Sequence, residues 1–381
     1  MILNTKKTNV VHFVEWFPNE EDQQLGVFIQ KHIEAIGRFT KSTVIYIKPF
    51  SKEQKDEITI QEVNGIKIIR GFYRNATSKN KAGNFFNYWK ITKKCFSLLE
   101  KIDVIHLHVL GKNALFVLNL KRKTKLPIFV TEHWSGWLDD YYAKSLWRGK
   151  WVRHAIMQSQ GVSVVSEVLK EKIESFTNRK NIALIPNIVS NVGLRKEKES
   201  SEMRFLTVAD LEDEIKNISG IIRAFSELKS QGFDRWKLDI IGDGSDKSHL
   251  ISLSKSLGLE EIRFLGRKTN DEVLTAFPNY DCFISNSRKE TFGLALAEAI
   301  ASGVPVISAN SGGPSSFITE ENGLLIPVDN NSELQSAIKK MTVNLGNYPP
   351  KKVQASLANF SAEEIGKQFL DWYERGSNQI K

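Results

Sequence analysis

Short apolar segments alternate with segments of helical periodicity along most of this chain, and this alternation limits the folds open to it. Residues 9–15 and 42–48 have the composition of strands, and residues 28–39 between them place three isoleucines on one helical face. A strand, a helix and a second strand in this order form a βαβ unit with parallel strands. The start of the chain therefore predicts an α/β fold.

The same alternation continues and then restarts after residue 200. Further strands are predicted at 103–108, 127–131, 161–165, 204–208, 237–241, 262–265, 281–285 and 304–308, and further helices at 84–100, 112–120, 217–230, 246–257, 271–277, 293–301 and 331–341. Two separate runs of βαβ units predict two Rossmann-like domains, each with its own parallel sheet, facing a central cleft.

A polar, charged stretch without apolar periodicity separates the two runs and is typical of a linker. We therefore predict an N-terminal domain at 1–188, a linker at 189–203, a C-terminal domain at 204–360 and a last helix at 361–381. Ser361 followed by Glu364 indicates a capping box at the start of that helix, which we expect to pack back on the N-terminal domain.

Composition excludes several classes of protein. With 41% hydrophobic and 25% charged residues in 381, the chain is neither a disordered tail nor a small disulfide-stapled scaffold. Its two cysteines, Cys95 and Cys282, fit a reducing compartment and are too few for a four-cysteine zinc site. No signal peptide or membrane span is apparent, so we expect a cytoplasmic protein.

Charge is distributed unevenly between the two halves. Residues 1–185 hold 30 lysines and arginines against 17 aspartates and glutamates, whereas residues 186–381 hold 23 against 27. A basic half indicates an anionic partner, which is a membrane surface, a phosphate-bearing substrate or nucleic acid, unless the lysines serve only solubility. No aromatic-basic RNA motif or helix-turn-helix is present, which disfavours nucleic acid.

The most specific motif is the pair Glu290 and Glu298, separated by seven residues. A helix that begins near Gly293 leaves Glu290 in the loop after strand 281–285, at the strand edge where α/β sheets bind ligands. The free amides around Phe292, Gly293 and Leu294 could hold a diphosphate, and a carboxylate further along the helix could accept hydrogen bonds from ribose hydroxyls. Two solvated glutamates on an amphipathic helix are the alternative.

This pair is followed by GVPVI at 303–307, SGGP at 311–314 and ENGLLIP at 321–327, and preceded by IGDG at 241–244 and FLG at 264–266. In the first half stand DVIHLH at 103–108, TEH at 131–133 and IPN at 185–187. In this order and spacing the motifs resemble retaining glycosyltransferase family 4, of the GT-B fold, along nearly the whole chain. The resemblance extends to bacterial surface-polysaccharide enzymes.

The resemblance implies a role for each matching residue. The family's nucleotide-sugar-binding half corresponds to the C-terminal domain and its acceptor-binding half to the N-terminal domain. Glu290 and His133 are implied at the reaction centre and the sugar or acceptor. The donor is implied to contact Lys216, Glu298, Gly26, Phe292, Gly293, Leu294, Arg267 and Arg288. Lys216 would neutralise the diphosphate, Glu298 would bind the ribose, and Arg267 would border the nucleobase.

We therefore expect a metal-independent hexosyltransferase that moves a sugar from a nucleotide diphosphate sugar to an acceptor hydroxyl, in polysaccharide or glycolipid assembly, without a cofactor. The acceptor is expected to be a saccharide or a lipid-linked saccharide. The alternatives are a GT-B epimerase or phosphorylase-like enzyme, and a basic nucleic-acid-binding module. Lys90, Lys93 and Lys94, together with the basic segment KRKTK at 121–125, suggest reversible binding to the inner face of the cell membrane.

One departure from the family pattern concerns the diphosphate. Asp210 stands where the family has an arginine, so either Asp210 turns away, or Arg288 substitutes, or phosphate binding is weakened. His106 and His108 alternate on one strand with no further ligand at useful spacing, so we expect core or cleft-lining histidines. The aromatic residues after His133 predict either an acceptor floor, a membrane-facing patch or core packing.

Overall fold

The computed structural model of the chain describes residues 7–50, 57–75, 81–190, 193–196 and 201–378. It divides into two compact units. The first unit comprises Met1–Val165, Leu169–Ile188 and Ala362–Lys381, and the second comprises Ser166–Val168 and Val189–Ser361. Each unit is a parallel or mostly parallel sheet covered by helices, which is the doubly wound architecture that the alternating sequence predicts.

The first unit is built on an eight-stranded sheet in the order β3-β4-β2-β1-β5-β6-β7-β8. Its strands are β1 Asn9–Val14, β2 Lys41–Pro49, β3 Ile58–Val63, β4 Ile66–Tyr73, β5 Val104–His108, β6 Ile128–Glu132, β7 Gly161–Val164 and β8 Ile182–Leu184. Strands β1, β5 and β6 are almost wholly buried, as expected for strands covered on both faces.

The described residues of the first unit form six α-helices. They are α1 Val27–Gly37, α2 Lys81–Phe96, α3 Lys112–Thr124, α4 Leu146–Gln158, α5 Glu167–Thr177 and, from the end of the chain, α13 Ala362–Asn378. The periodicity predicts α1, α2, α3 and α13, whereas α4 and α5 were not predicted. Helix α4 buries Val152, Ala155 and Ile156 but exposes Trp147, Trp151 and Met157, so its apolar residues are not confined to the buried face and its apolar periodicity is weak.

One edge of this sheet departs from the prediction of purely parallel strands. Strand β3 runs antiparallel to β4, and the two are joined by Asn64 and Gly65, with φ angles of 52° and 75°. Two consecutive residues with positive φ form the tight turn that suits a right-twisted hairpin, and Asn-Gly is its usual sequence. The Asn-Gly pair is therefore the sequence signal for this hairpin, which the pattern of alternating strands and helices does not predict.

The second unit has a six-stranded, wholly parallel sheet in the order β11-β10-β9-β12-β13-β14. Its strands are β9 Met203–Val208, β10 Trp236–Ile241, β11 Ile262–Gly266, β12 Cys282–Ser285, β13 Val306–Ala309 and β14 Gly323–Ile326. Its helices are α6 Asp213–Lys216, α7 Ile218–Ser230, α8 Lys247–Ser256, α9 Asn270–Ala276, α10 Leu294–Ala301, α11 Asn331–Val343 and α12 Pro350–Ala355. The chain order reverses between β9 and β12, so the carboxyl ends of these two strands form the topological switch point where ligands bind in such sheets.

Part of the segment predicted as a linker is fixed to the second unit. The Val189 amide donates to the Phe360 carbonyl at 3.1 Å. The buried guanidinium of Arg195 donates to the carbonyls of Gly303 and Tyr348, at 3.0 and 2.5 Å. Because a buried arginine must have its donors satisfied, these bonds hold the described residues 193–196 against the unit.

The last helix, α13, packs on the first unit, as the sequence predicts. It lies against α1 and inserts Ile365, Phe369 and Tyr373, which are 0%, 0% and 3% exposed. These side chains join a core cluster with residues of β1, α1, β5 and β6. The chain end therefore completes the core of the unit in which the chain begins.

We predict that Phe369→Ala destabilises the first unit by about 3–5 kcal/mol, because a large, fully buried ring leaves a cavity when it is truncated. Phe86→Ala is the matched control, since Phe86 is 66% exposed, and its effect should stay within about 0.5 kcal/mol. Urea denaturation followed by circular dichroism measures both. Equal midpoints for the two variants would contradict the packing of α13 described above.

Candidate functional site

Two loops meet at the carboxyl ends of β9 and β12, and we call them the β9–β12 edge (residues 209–217 and 286–293). The first loop contains the short helix α6, which ends at Lys216, and turns into α7 at Asn217 with a φ of 49°. The Arg288 amide of the second loop donates to the Ile215 carbonyl of the first at 2.8 Å. Residues far apart in sequence are thereby held at one place.

At this edge the Lys216 ammonium lies 2.5 Å from Oε1 of Glu290. The two side chains are 22% and 19% exposed, and the Ser287 hydroxyl lies 3.2 Å from the same Oε1, to which it donates. A partly desolvated charge pair with an added hydrogen bond is better defined than an exposed ion pair. The structure thus brings together two of the residues predicted from sequence.

The Gly-Gly loop after β13 fixes the backbone of Glu290. The Glu290 amide donates to the Ser311 carbonyl at 3.2 Å, and the Gly313 amide donates to the Glu290 carbonyl at 2.9 Å. A β-carbon on Gly313 would lie 2.4 Å from the amide nitrogen of Phe292. The loop can approach this closely only because residue 313 has no side chain.

Helix α10 begins beside Glu290. Gly293 precedes it with a φ of 89°, and the Ala297 amide makes a helical bond to the Gly293 carbonyl. The amides of Leu294, Ala295 and Leu296 precede that bond and point out of the helix N-terminus, which suits an anion. The Phe292 ring is 2% exposed and packs on Phe317, so only its backbone can face a ligand.

Glu298 occupies the second turn of α10 and is 3% exposed. A carboxylate at that depth is not one of the solvated glutamates that the alternative interpretation required. A carboxylate buried to this extent must be paired or hydrogen-bonded, so Glu298 has a defined position in the unit. The roles of Glu290 and Glu298 in binding a ligand stay predictions.

Arg288 and Arg267 are engaged within the unit. The Arg288 guanidinium donates to the carbonyls of Asp213 and Glu214, at 2.8 and 3.0 Å, and to Asp329 at 2.7 Å. It therefore holds α6, and with it Lys216, in position. Arg267 lies 3.2 Å from Asp210, with both side chains more than half exposed, so the departure from the family pattern is a solvent-exposed ion pair.

Gly26 and His133 belong to the first unit. Gly26 has a φ of 70° and caps α1, and a β-carbon there would lie 2.7 Å from the Trp16 carbonyl oxygen. His133 follows β6 and is 5% exposed, with its ring 4.9 Å from that of Phe28 and 5.3 Å from that of His32. Both lie at the carboxyl edge of the first sheet.

His133 belongs to a cluster of five buried histidines that sequence spacing did not reveal. The others are His12 on β1, His32 on α1, and His106 and His108 on β5. Neighbouring strands align His12 with His106, and α1 brings His32 over the same edge. His106 and His108 lie in the core, as the sequence predicts, and the histidines beside them come from other elements, which spacing along the chain does not reveal.

Burial keeps these rings neutral. Desolvation lowers the pKa of His12 to about 3 and of His32 to about 4, and it places the pKa values of His106, His108 and His133 well below the ordinary value. The neighbouring Asn187 raises the pKa of His133, although no hydrogen bond of normal geometry joins the two side chains. Desolvation of charge also raises the pKa values of the carboxyls Glu15 and Glu132 to about 7.

Two adjoining cavities open on the first unit, and we call them together the aromatic groove. Their volumes are about 460 and 650 Å³, and they share Phe85, Leu115 and Trp151. The smaller cavity is lined by the aromatic residues that follow His133, which include Trp134, Tyr141 and Tyr142. These residues therefore line a cavity, although Trp137 lies in the core.

Each half of the chain matches a known glycosyltransferase family. The family described as "Glycosyl transferases group 1" matches residues 194–347, and "Glycosyltransferase Family 4" matches residues 43–190. The chain is a glycosyltransferase of the GT-B type. The β9–β12 edge lies in the part of the glycosyltransferase that matches group 1, and the aromatic groove lies in the part that matches family 4.

Two relatives and one solved structure illustrate the similarity. An uncharacterized glycosyltransferase of Methanocaldococcus jannaschii is 25% identical, over 83% of this chain and 85% of its own length. The alpha-monoglucosyldiacylglycerol synthase of Streptococcus pneumoniae is 24% identical, over 72% of this chain and 66% of its own. Anabaena HepE in complex with UDP-glucose superposes with a TM-score of 0.73 at 16% identity, over 96% of this chain and 99% of HepE.

Within the described part of the glycosyltransferase, no helix has the length and apolar character needed to cross a bilayer.

We predict that the first unit loses stability steeply as the pH falls from 6.5 toward 4.5. In that range each buried histidine is protonated in the unfolded state but not in the folded state, which removes about 1.4 kcal/mol per pH unit and group. Glu15 and Glu132 act oppositely, because their raised pKa values let the folded state bind a proton first. Because the five histidines outnumber the two carboxyl groups, the net effect of lowering the pH is to destabilise the first unit.

Urea denaturation in EDTA-containing buffer at pH 7.5 and pH 5.5 measures this effect. His32→Gln should lessen the pH dependence, whereas His154→Gln, at an exposed position, should leave it as in the wild type. A midpoint that is unchanged between the two pH values would show that the cluster is not held neutral.

Proposed function

We propose that this glycosyltransferase is a retaining, metal-independent hexosyltransferase that uses a nucleotide diphosphate sugar and works in polysaccharide or glycolipid assembly. The observation that carries the proposal is the Lys216–Glu290 pair, which lies beside the N-terminus of α10 at the switch point of the second sheet. A cation, free helix amides and a buried carboxylate one turn further along the same helix match the diphosphate and the ribose of such a donor.

In this proposal the donor is held by charge and by the backbone. Lys216 and the amides at the start of α10 neutralise the diphosphate, and Glu298 accepts hydrogen bonds from the ribose hydroxyls. The family resemblance adds Gly26 as a contact of the donor. Arg267 borders the nucleobase, and exchanges its surface partner Asp210 at little cost because the pair is exposed. The UDP-glucose bound by HepE, which shares the fold, supports this class of donor.

The short contact between Lys216 and Glu290 suggests how donor binding prepares the reaction. An incoming diphosphate competes with Glu290 for the Lys216 ammonium. Glu290 then keeps the Ser287 hydrogen bond and turns toward the transferred sugar. Departure of the nucleotide diphosphate develops negative charge, which Lys216 and the helix amides stabilise without a metal.

Retention follows from the placement of the groups in this proposal. The acceptor hydroxyl attacks from the side that the leaving diphosphate vacates, through a short-lived oxocarbenium-like state. A leaving phosphate oxygen can take the acceptor proton, so the step needs no carboxylate of the kind that hydrolases place opposite. His133, neutral because it is buried, contacts the sugar or the acceptor as a hydrogen-bond partner.

The acceptor that fits the aromatic groove is amphiphilic. Trp147 and Trp151 near the groove are 77% and 48% exposed, and Phe86 is 66% exposed. Exposed aromatic residues of this size suit a lipid chain or a membrane interface. The name of the Streptococcus pneumoniae relative, a diacylglycerol glycolipid synthase, supports a lipid-linked saccharide as the acceptor here.

Basic residues border the same groove, although fewer of them are available than the sequence suggests. Lys90, Lys93 and Arg122 are exposed. Lys94 pairs with Glu57, and Lys121 donates to the carbonyl of Gln158. The proposal therefore places the enzyme reversibly on the anionic inner face of the cell membrane through a small basic and aromatic surface.

The donor site is tested by changing the two glutamates separately. Glu298→Gln should weaken nucleotide-sugar binding by about 1–3 kcal/mol, because charged hydrogen bonds are lost. Glu290→Gln should chiefly lower kcat, because its contact forms near the reacting sugar. Calorimetry with a panel of nucleotide sugars and initial rates with the donor that binds measure these effects.

Glu260→Gln is the matched control, since Glu260 is exposed on the same unit. The proposed donor site is wrong if both variants bind the donor and transfer sugar like the control.

The membrane surface is tested by co-sedimentation with vesicles. The enzyme should bind anionic vesicles more than neutral ones at low salt, with each basic contact contributing roughly 1 kcal/mol. Trp147→Ala and Lys93→Glu should each lower the bound fraction, whereas Val343→Ala, at an 82% exposed position on the second unit, should not. Equal recovery in the supernatant with both vesicle types would remove this part of the proposal.

A further inference from the structure

Five of the seven histidines of the chain lie together inside the first unit, and they form two overlapping triplets. One triplet is His12, His106 and His108, and the other is His32, His108 and His133. In each, one ring nitrogen per residue lies within 4.8 Å of the others. The hydrogen bonds of the rings distinguish the two triplets.

The first triplet has its nitrogens occupied. His106 contacts the Thr131 hydroxyl at 2.7 Å and the Tyr373 hydroxyl at 2.6 Å, one through each ring nitrogen. His12 contacts the Ser42 hydroxyl through Nε2 and His108 through Nδ1. A metal ion there would break a satisfied, buried network, which is costly.

The second triplet has free nitrogens. His32 Nε2 lies 3.0 Å from the Pro186 carbonyl, and since a carbonyl only accepts, Nε2 carries the proton and Nδ1 offers a lone pair. Nδ1 of His32, Nδ1 of His108 and both nitrogens of His133 are buried without a hydrogen-bond partner. Unpartnered buried polar atoms are rare and require an explanation.

We propose that His32, His108 and His133 bind a transition-metal ion of the zinc class, with the fourth position open. Imidazole nitrogen is a preferred ligand of Zn²⁺, and three histidines with one open position form a known type of zinc coordination. The Pro186 carbonyl behind His32 and the His12 ring behind His108 are the supporting partners that orient metal-bound imidazoles.

The geometry needs only a modest adjustment. Zn–N bonds of about 2.0–2.1 Å place tetrahedral ligand nitrogens about 3.4 Å apart, so nitrogens that lie within 4.8 Å of one another must approach by up to about 1.4 Å. His32 and His108 are fixed by their supporting hydrogen bonds, whereas His133 has none and retains 5% exposure. We therefore expect His133 to move when the ion binds, and the ion to enter the site past His133.

Metal binding would oppose catalysis. This consequence, unlike the site itself, rests on the proposed function, which assigns His133 to the sugar or the acceptor. An ion bound to the His133 lone pair withdraws it from that contact. Zn²⁺ is thus an inhibitor of sugar transfer, and EDTA preserves or increases the rate.

The site is tested on the full chain after removal of metals with EDTA. Equilibrium dialysis against Zn²⁺ with metal analysis should give one tightly bound ion per chain. Co²⁺ added to the wild-type chain should give the intense visible absorption of a tetrahedral complex, so this measurement does not depend on any variant. His32→Gln and His108→Gln should each weaken Zn²⁺ binding by more than about tenfold. His154→Gln and His249→Gln, at exposed positions, should bind Zn²⁺ like the wild type.

Absence of a tightly bound ion, or binding that is unchanged in His32→Gln and His108→Gln, overturns the proposal. Sugar-transfer rates add the second test: Zn²⁺ should inhibit the wild type, and His32→Gln should resist it. Bound Zn²⁺ without inhibition overturns the inhibitory role. If the enzyme transfers sugar from no nucleotide sugar, the proposed function fails, while the dialysis result still decides the metal site.

Discussion

The loops after β9 and β12 must pass within hydrogen-bond distance of each other, and the proposed donor site depends on this contact. The Arg288 amide joins the two loops through the Ile215 carbonyl, and the Arg288 side chain ties α6 to Asp329. Without these bonds Lys216 would be the end of an isolated four-residue helix, which is too short to be stable alone. Arg288 therefore supports α6, and its contact with the donor, implied by the family resemblance, stays a prediction.

The first unit depends on a different constraint, which is the burial of neutral imidazoles. Side chains from β1, α1, β5 and the end of β6 share one apolar environment, and α13 encloses it through Phe369 and Tyr373. Some ring nitrogens of the cluster form hydrogen bonds with hydroxyl groups, whereas others have no hydrogen-bond partner. That difference within a single cluster separates a structural network from a candidate ligand site.

Much of the architecture could be predicted from the sequence because apolar periodicity records which faces are buried. The strands near 204–208 and 237–241 and the helix near 217–230 lie within a residue or so of the prediction. The hairpin of β3 and β4 and helix α4 could not be predicted in the same way. The hairpin departs from the βαβ pattern, and α4 exposes Trp147 and Trp151, so its apolar residues do not mark its buried face.

The sequence by itself determined the two α/β units and the pairing of Glu290 with the start of α10, because these follow from local periodicity and from glycines that only certain turns require. Tertiary structure alone decided that Lys216 contacts Glu290, that Arg288 supports α6, and that five histidines separated by up to 121 positions, from His12 to His133, converge. Such contacts depend on strand order and register, which bring distant residues together across the sheet. The apolar periodicity of the sequence does not reveal them.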